Sequence, residues 1–208
     1  MIAPVVLPGA IVELDPVTGR RGRAVTFQYN PDSITRTLAV QSAGDDPGQP
    51  LRLKGVAVET LRIEVDLDAT DALGTDPPDA TTVEVGIQPD LAALEMLVQP
   101  PADRLRQNRS LADAGLLDVL PLSAPLALFV WSRHRVVPVR VTELSIVEQA
   151  FDPRLNPIRA KVTLGLRVLN VDDLGLDSVG GTVAFGHHQD TEKLAARFTA
   201  SAIGEGRF

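Results

Sequence analysis

The sequence predicts a mainly β fold with one packed helix, followed by a C-terminal tail that contains a short helix. Three observations predict it. Leu61, Ile63, Val65 and Leu67 alternate without exception with Arg62, Glu64, Asp66 and Asp68. Ala160, Val162, Leu164, Leu166 and Val168 alternate with Lys161, Thr163, Gly165 and Arg167. An apolar-aromatic run, Leu126-Ala127-Leu128-Phe129-Val130-Trp131, stands ahead of the second alternation. Strict period-two alternation marks a strand with one face on a core and the other on water or a partner, whereas a helix needs apolar residues three and four apart. At about 3.3 Å per residue the second run spans roughly 30 Å, longer than a usual strand. Strands of this length suit a chain that builds a wall or tube with its neighbours.

In chain order, Ala10-Ile11-Val12-Glu13-Leu14 is the first strand, ended by the turn residues Asp15-Pro16 and Thr18-Gly19. Arg23 to Tyr29 follows, with Val25, Phe27 and Tyr29 on one face, and Asn30-Pro31-Asp32 closes it because proline cannot continue a ladder. A third strand covers Ile34 to Val40. The Gly, Pro and Asp content of Ala43 to Gln49 makes a loop, as does the composition of Asp71 to Asp79. Pro89 and Asp90, the latter a good N-cap, precede Leu91, Leu94, Leu97 and Val98 at helical spacing, and Pro100-Pro101 stops that helix. A second short helix is expected from Ser110 to Leu117.

Val136 to Glu148 contains one irregularity. Val137, Val139 and Val141 share a parity that Leu144 and Ile146 do not. One extra residue flips every later side chain, so a bulge or bend is expected near Thr142-Glu143. Phe151-Asp152-Pro153-Arg154-Leu155-Asn156-Pro157 joins this run to the next. After Asn170 the composition turns to Asp and Gly, and Thr191 to Ala202 is expected to form a terminal helix capped by Asp190 or Thr191. The division this gives is residues 1–170 as a β domain and 171–208 as a tail.

Composition bounds the function classes. The 208 residues are 44% hydrophobic and 23% charged, which suits a globular chain with one large core. Aromatics make up 4%, so that core is aliphatic, and they are too few for a base-stacking platform. There is no cysteine, hence no disulfide framework and no thiolate metal site. The net charge of −7 leaves no basic surface for a phosphate backbone, and nucleic acid is not an expected partner. The one dense basic stretch, Arg20-Arg21-Gly22-Arg23, adjoins a glycine and is expected to be a solvated loop. The N-terminus lacks the positive region of a signal peptide, and no apolar stretch approaches the ~20 residues that cross a bilayer. Nothing in the chain itself is expected to export or embed it.

No catalytic, cofactor or metal site emerges. His187-His188-Gln189-Asp190 with Glu192 does not match zinc-ligand spacing and is expected to be a solvated loop and helix cap. His134 belongs to a hairpin tip, with no carboxylate in sequence to orient it as a base. Glu64, Asp66 and Asp68 form a stripe rather than an acid–base pair. Neither a nucleophile elbow nor a phosphate-binding glycine loop occurs. Phe129 and Trp131 leave open a sugar-binding surface, although a lone tryptophan in an apolar strand usually belongs to the core.

Several of these pieces, taken in order, resemble a known family. Phe27-Gln28-Tyr29-Asn30-Pro31 ends an early strand; Glu59 to Asp68 follows; then come Leu91-Ala92-Ala93-Leu94, the Pro125 to Trp131 strand, and Phe151-Asp152-Pro153 before Pro157-Ile158-Arg159-Ala160-Lys161-Val162. Their order and spacing, over about residues 8–169, resemble the tube-type baseplate domain of contractile injection systems, the phage-tail-like machines of bacteria. The resemblance implies a β-barrel-like sandwich with a flanking helix, joined to its neighbours in a homo-hexameric ring. Such a ring adapts the spike hub at the baseplate to the first ring of the inner tube, as a tube initiator. It implies no catalysis and no cofactor, with inner tube protein, spike or hub protein and other baseplate proteins as partners. Assembly would be cytoplasmic, in a particle that stays there or is released. Contacts would fall to Phe27, Tyr29, Asn30, Pro31, Trp131, Phe151, Asp152 and Pro153. Two departures stand out: the LysM-type module that follows in many relatives is replaced by the Gly/Asp-rich tail, and Val137-Pro138 takes the place of a small-residue turn. Alternatives are a tail-tube or tube-completion protein of a contractile phage and, from another class, a monomeric carbohydrate-binding β-domain.

Overall fold

The computed structural model describes residues 9–27, 31–42, 51–115, 125–132 and 134–198. Its strands are β1 (Ala10–Leu14), β2 (Arg21–Thr26), β3 (Ile34–Ala39), β4 (Val58–Asp68), β5 (Leu126–Ser132), β6 (Arg135–Phe151) and β7 (Pro157–Val168). Its helices are α1 (Thr70–Leu73), α2 (Ala80–Val85), α3 (Gln88–Glu95), α4 (Ala102–Asp113), α5 (Val171–Leu174) and α6 (Val179–Ala195). The strands form one antiparallel sheet in the order β2-β1-β5-β6-β7-β4-β3. A mainly β chain with a C-terminal helix is therefore observed. The sheet does not close into the barrel that the resemblance suggested. β2 and β3 end the sheet on opposite sides, no ladder joins them among the described residues, and closure requires the two edges to meet. Among the described residues there is no second sheet: helices line the core instead, with Leu91, Leu94 and Leu97 of the α3 region buried in it.

The two alternating runs are neighbours in register. Leu61, Ile63, Val65 and Leu67 lie directly opposite Leu166, Leu164, Val162 and Ala160, and all eight are buried. Cross-strand apolar pairs of this kind are the unit of sheet stability, each burial being worth about 1.5–3 kcal/mol. On the other face Asp66 opposes Lys161 and Asp68 opposes Arg159, whose Nε donates to the Asp68 carboxylate at 2.8 Å. The acidic stripe of β4 is thus matched within the chain by cations of β7.

The pairing of β6 with β7 shifts between Val141 and Glu143, leaving Thr142 as the extra residue of a bulge where the parity change required one. Beside it Gly165 opposes Arg62 on one side and Glu143 on the other. A side chain at this position would come within 2.9 Å of the Glu143 Cβ. Its absence lets Arg62 reach across β7 to Glu143 at 2.8 Å. Pro138 lies inside β6, opposite Leu128, and the β5–β6 turn falls at His134, so no turn forms at Val137-Pro138.

Helices depart most from expectation. The segment 71–79 is only in part a loop, since α1 begins before it and Asp79 caps α2 by accepting from Thr82 N–H at 2.7 Å. α3 starts at Gln88 with Ile87 as its N-cap, which places Asp90 inside the first turn, where burial raises its pKa. α4 begins eight residues before the expected Ser110 and buries none of its residues. α6 begins at Val179, capped by Ser178, twelve residues ahead of the expected Thr191, and packs on β6 with Ala184 buried. The expected loop at Ala43–Gln49 lies outside the described residues, as do Leu116 and Leu117, while the terminal helix ends at Ala195, short of the expected Ala202. Among the described residues no helix is long and apolar enough to cross a membrane.

Candidate interaction surface

The residues singled out from the sequence separate into two groups. Phe27 is buried, its ring centroid 6.4 Å from that of Phe129, and Trp131 stacks on Phe129 at 6.0 Å. Phe129 thus covers one face of the half-buried Trp131 indole. Phe151, Asp152 and Pro153 sit at the far end of β6, a strand of 17 residues that starts beside Trp131. Pro31 borders a shallow polar crevice of about 340 Å³ with Asp32, Glu64 and Lys161. Tyr29 and Asn30 lie outside the described residues.

The β6–β7 turn is built around Asp152. Its Oδ1 accepts from the N–H groups of Arg154 at 2.7 Å and Asn156 at 2.8 Å, and its Oδ2 from Asn156 Nδ2 at 2.9 Å. Hydrogen bonding from Asn156 leads the effects that hold its pKa below the ordinary carboxylate range, helped by the charge of Arg154. The second hydrogen of Asn156 Nδ2 goes to the Glu84 carbonyl at 2.9 Å, and Ile87 N–H donates to the Pro157 carbonyl at 2.9 Å. Between these latches Gly86 has φ +62 and ψ −137, a region open to glycine alone, and a Cβ there would lie 2.2 Å from the Pro157 oxygen. The turn is therefore fastened to the α2–α3 junction while its apolar side chains face outward. Phe151 is 49% exposed and Leu155, at φ +67, is 78% exposed. Leu155 and Asn156 were not expected to matter. Leucine at a positive φ leaves no sequence signal, but Asp-Pro-x-x-Asn with paired latches is an Asx-type turn that composition does suggest.

A cleft of about 750 Å³ opens at the other end of β7, between β3 and α6. Leu38, Leu53, Val168 and Phe185 supply apolar walls, with Arg36, Lys54 and His187 among them. His187 was expected in a solvated loop; helix α6 instead turns it toward the cleft, half-buried, with Nδ1 unpartnered among the described residues. Burial is the main cause that lowers its pKa, with Arg36 and Arg135 acting in the same direction and Glu59 and Asp190 opposing. His188 Nε2 lies 3.6 Å from Glu192 on the same helix. Among the described residues no group of three or more His, Asp or Glu is arranged to hold a metal ion. The cleft has no motif, because it joins segments distant in sequence.

No family model and no curated protein matches the chain. Among solved structures it is similar to a chain from the tail of an empty GTA particle with C6 symmetry, at 12% identity and a TM-score of 0.30, over 77% of this chain and 90% of that one.

Proposed function

We propose that this chain is a non-catalytic structural component of a contractile injection system baseplate, one of six copies in a ring that adapts the spike hub to the inner tube. The observation that carries this function is the β6–β7 hairpin. A turn fastened at Asp152, Asn156 and Gly86 presents Phe151 and Leu155 to solvent in a fixed geometry, which is how an exposed apolar anchor lowers the ordering cost of binding. The ordered resemblance over residues 8–169 supplies the identity of the machine. Long strands with one polar face, and a sheet whose edges β2 and β3 are unpaired among the described residues, suit a subunit of a larger assembly.

The test is an affinity pull-down of the tagged chain from its native host, read by negative-stain microscopy and mass spectrometry. Sheathed particles or baseplates carrying sheath, tube and spike proteins are the expected result. A clean monomer without such partners would overturn the assignment.

A further inference from the structure

The two edges of the sheet are unlike. β2 carries Arg21 and Arg23 among its six residues, the second paired with Glu13 at 2.7 Å, and charge on an edge strand guards it against pairing. β3 carries one charge, Arg36, and Glu59 takes it at 2.7 Å. Ile34, Thr35, Thr37, Leu38 and Ala39 complete a strand with no proline or lysine, and Leu38 is 55% exposed. Among the described residues nothing pairs with its outer side. Such an edge is a template for another strand.

The core side of this edge is open as well. Ile34, Arg36 and Leu38 face Ile63, Leu61 and Glu59 of β4 and so share one face of the sheet. Ile34 packs on the core, but Arg36 and Leu38 line the cleft whose far wall is α6. A strand laid along β3 would send every second side chain into that cleft. Backbone bonds from an edge and apolar room for alternate side chains are the two elements of recognition by strand addition.

Charge selects the occupant. Glu59 is paired with Arg36, and Asp172 faces the Val56 N–H at 3.4 Å. Lys54 lines the cleft without a carboxylate partner among the described residues. Among the described residues the edge strands of a second copy are β2 and β3, and neither contains an Asp or Glu that could meet Lys54. We propose that β3 and the adjoining cleft are a docking site for an extended segment of a different protein, apolar at alternate positions and carrying a carboxylate that reaches Lys54. That the donor is another component of the same particle rests on the function proposed above; the site itself does not.

A displayed library of random peptides, selected against the full chain, tests it. The selected peptides should alternate apolar residues and carry Asp or Glu, and their binding should slow hydrogen exchange at β3 amides. Leu38→Asp should weaken them at least tenfold, and Lys54→Glu should turn the selection toward basic peptides. Both side chains are on the surface, so the variants remain folded, as circular dichroism would register. Absence of a consensus, binding indifferent to both variants, or concentration-dependent self-association lost with Leu38→Asp would each overturn the proposal. Peptide binding without particles in the pull-down would keep the site and remove the baseplate role. Particles with no peptide binding would do the reverse.

Discussion

Asn156 is the residue at which hairpin and helical layer meet, and Gly86 is what lets them meet. Gly86→Ala must force a side chain into a backbone region closed to it and against the Pro157 carbonyl. A loss of about 1–3 kcal/mol is expected, measured by urea unfolding. Phe151 and Phe129 give the opposite contrast. Phe129→Ala empties a fully buried site and should cost about 3–5 kcal/mol, whereas Phe151→Ala should change stability by less than about 1 kcal/mol and weaken assembly instead. Sequence could not separate such residues. Phe27 and Phe151 both stand shortly before an Asn-Pro or Asp-Pro pair in the sequence, yet one is buried against Phe129 and the other faces solvent. Burial depends on which distant element covers a face, and neither pair encodes that.

At the scale of elements, strands were legible and helices much less so. β4 and β7 declare themselves because period two exists in no other regular structure, and the bulge at Thr142 declares itself through the parity it changes. Deleting Thr142 should remove the bulge and leave a regular ladder with Leu144 still opposite Leu164 and Ile146 opposite Val162, so the local bend is lost but the variant still unfolds cooperatively in denaturant. α6 was hidden because Gly180, Gly181 and Gly186 are poor helix formers, and packing on β6 overrides that propensity. Its position makes a pH prediction. Burial disfavours the charged form of His187, so its folded pKa lies below the unfolded value near 6.5. The unfolded state then binds more protons in that interval, and stability should fall as pH drops below about 6.5 toward the folded pKa. His187→Gln should flatten thermal-melt midpoints across this range; an unchanged slope would show that α6 does not bury the ring.

For the whole molecule, the consequence of an open sheet is that its two candidate surfaces are separated. The hairpin tip lies where β7 begins and the cleft where it ends, and β7 is 12 residues long, about 40 Å. A closed barrel would have concealed both sheet edges within one chain; an open sheet leaves β3 available while the hairpin projects from the opposite end. An adaptor between two components requires two such independent surfaces, and defects in them should not be equivalent. Phe151→Asp combined with Leu155→Asp should yield a folded chain that loses one set of co-purified proteins, and Leu38→Asp a folded chain that loses another. With substitutions this far apart, their effects should add in the combined variant, leaving a folded chain with neither set. Mass spectrometry of the three eluates decides the matter. If both surfaces lose the same proteins, the chain binds one partner across its length, and an adaptor role between hub and tube is wrong.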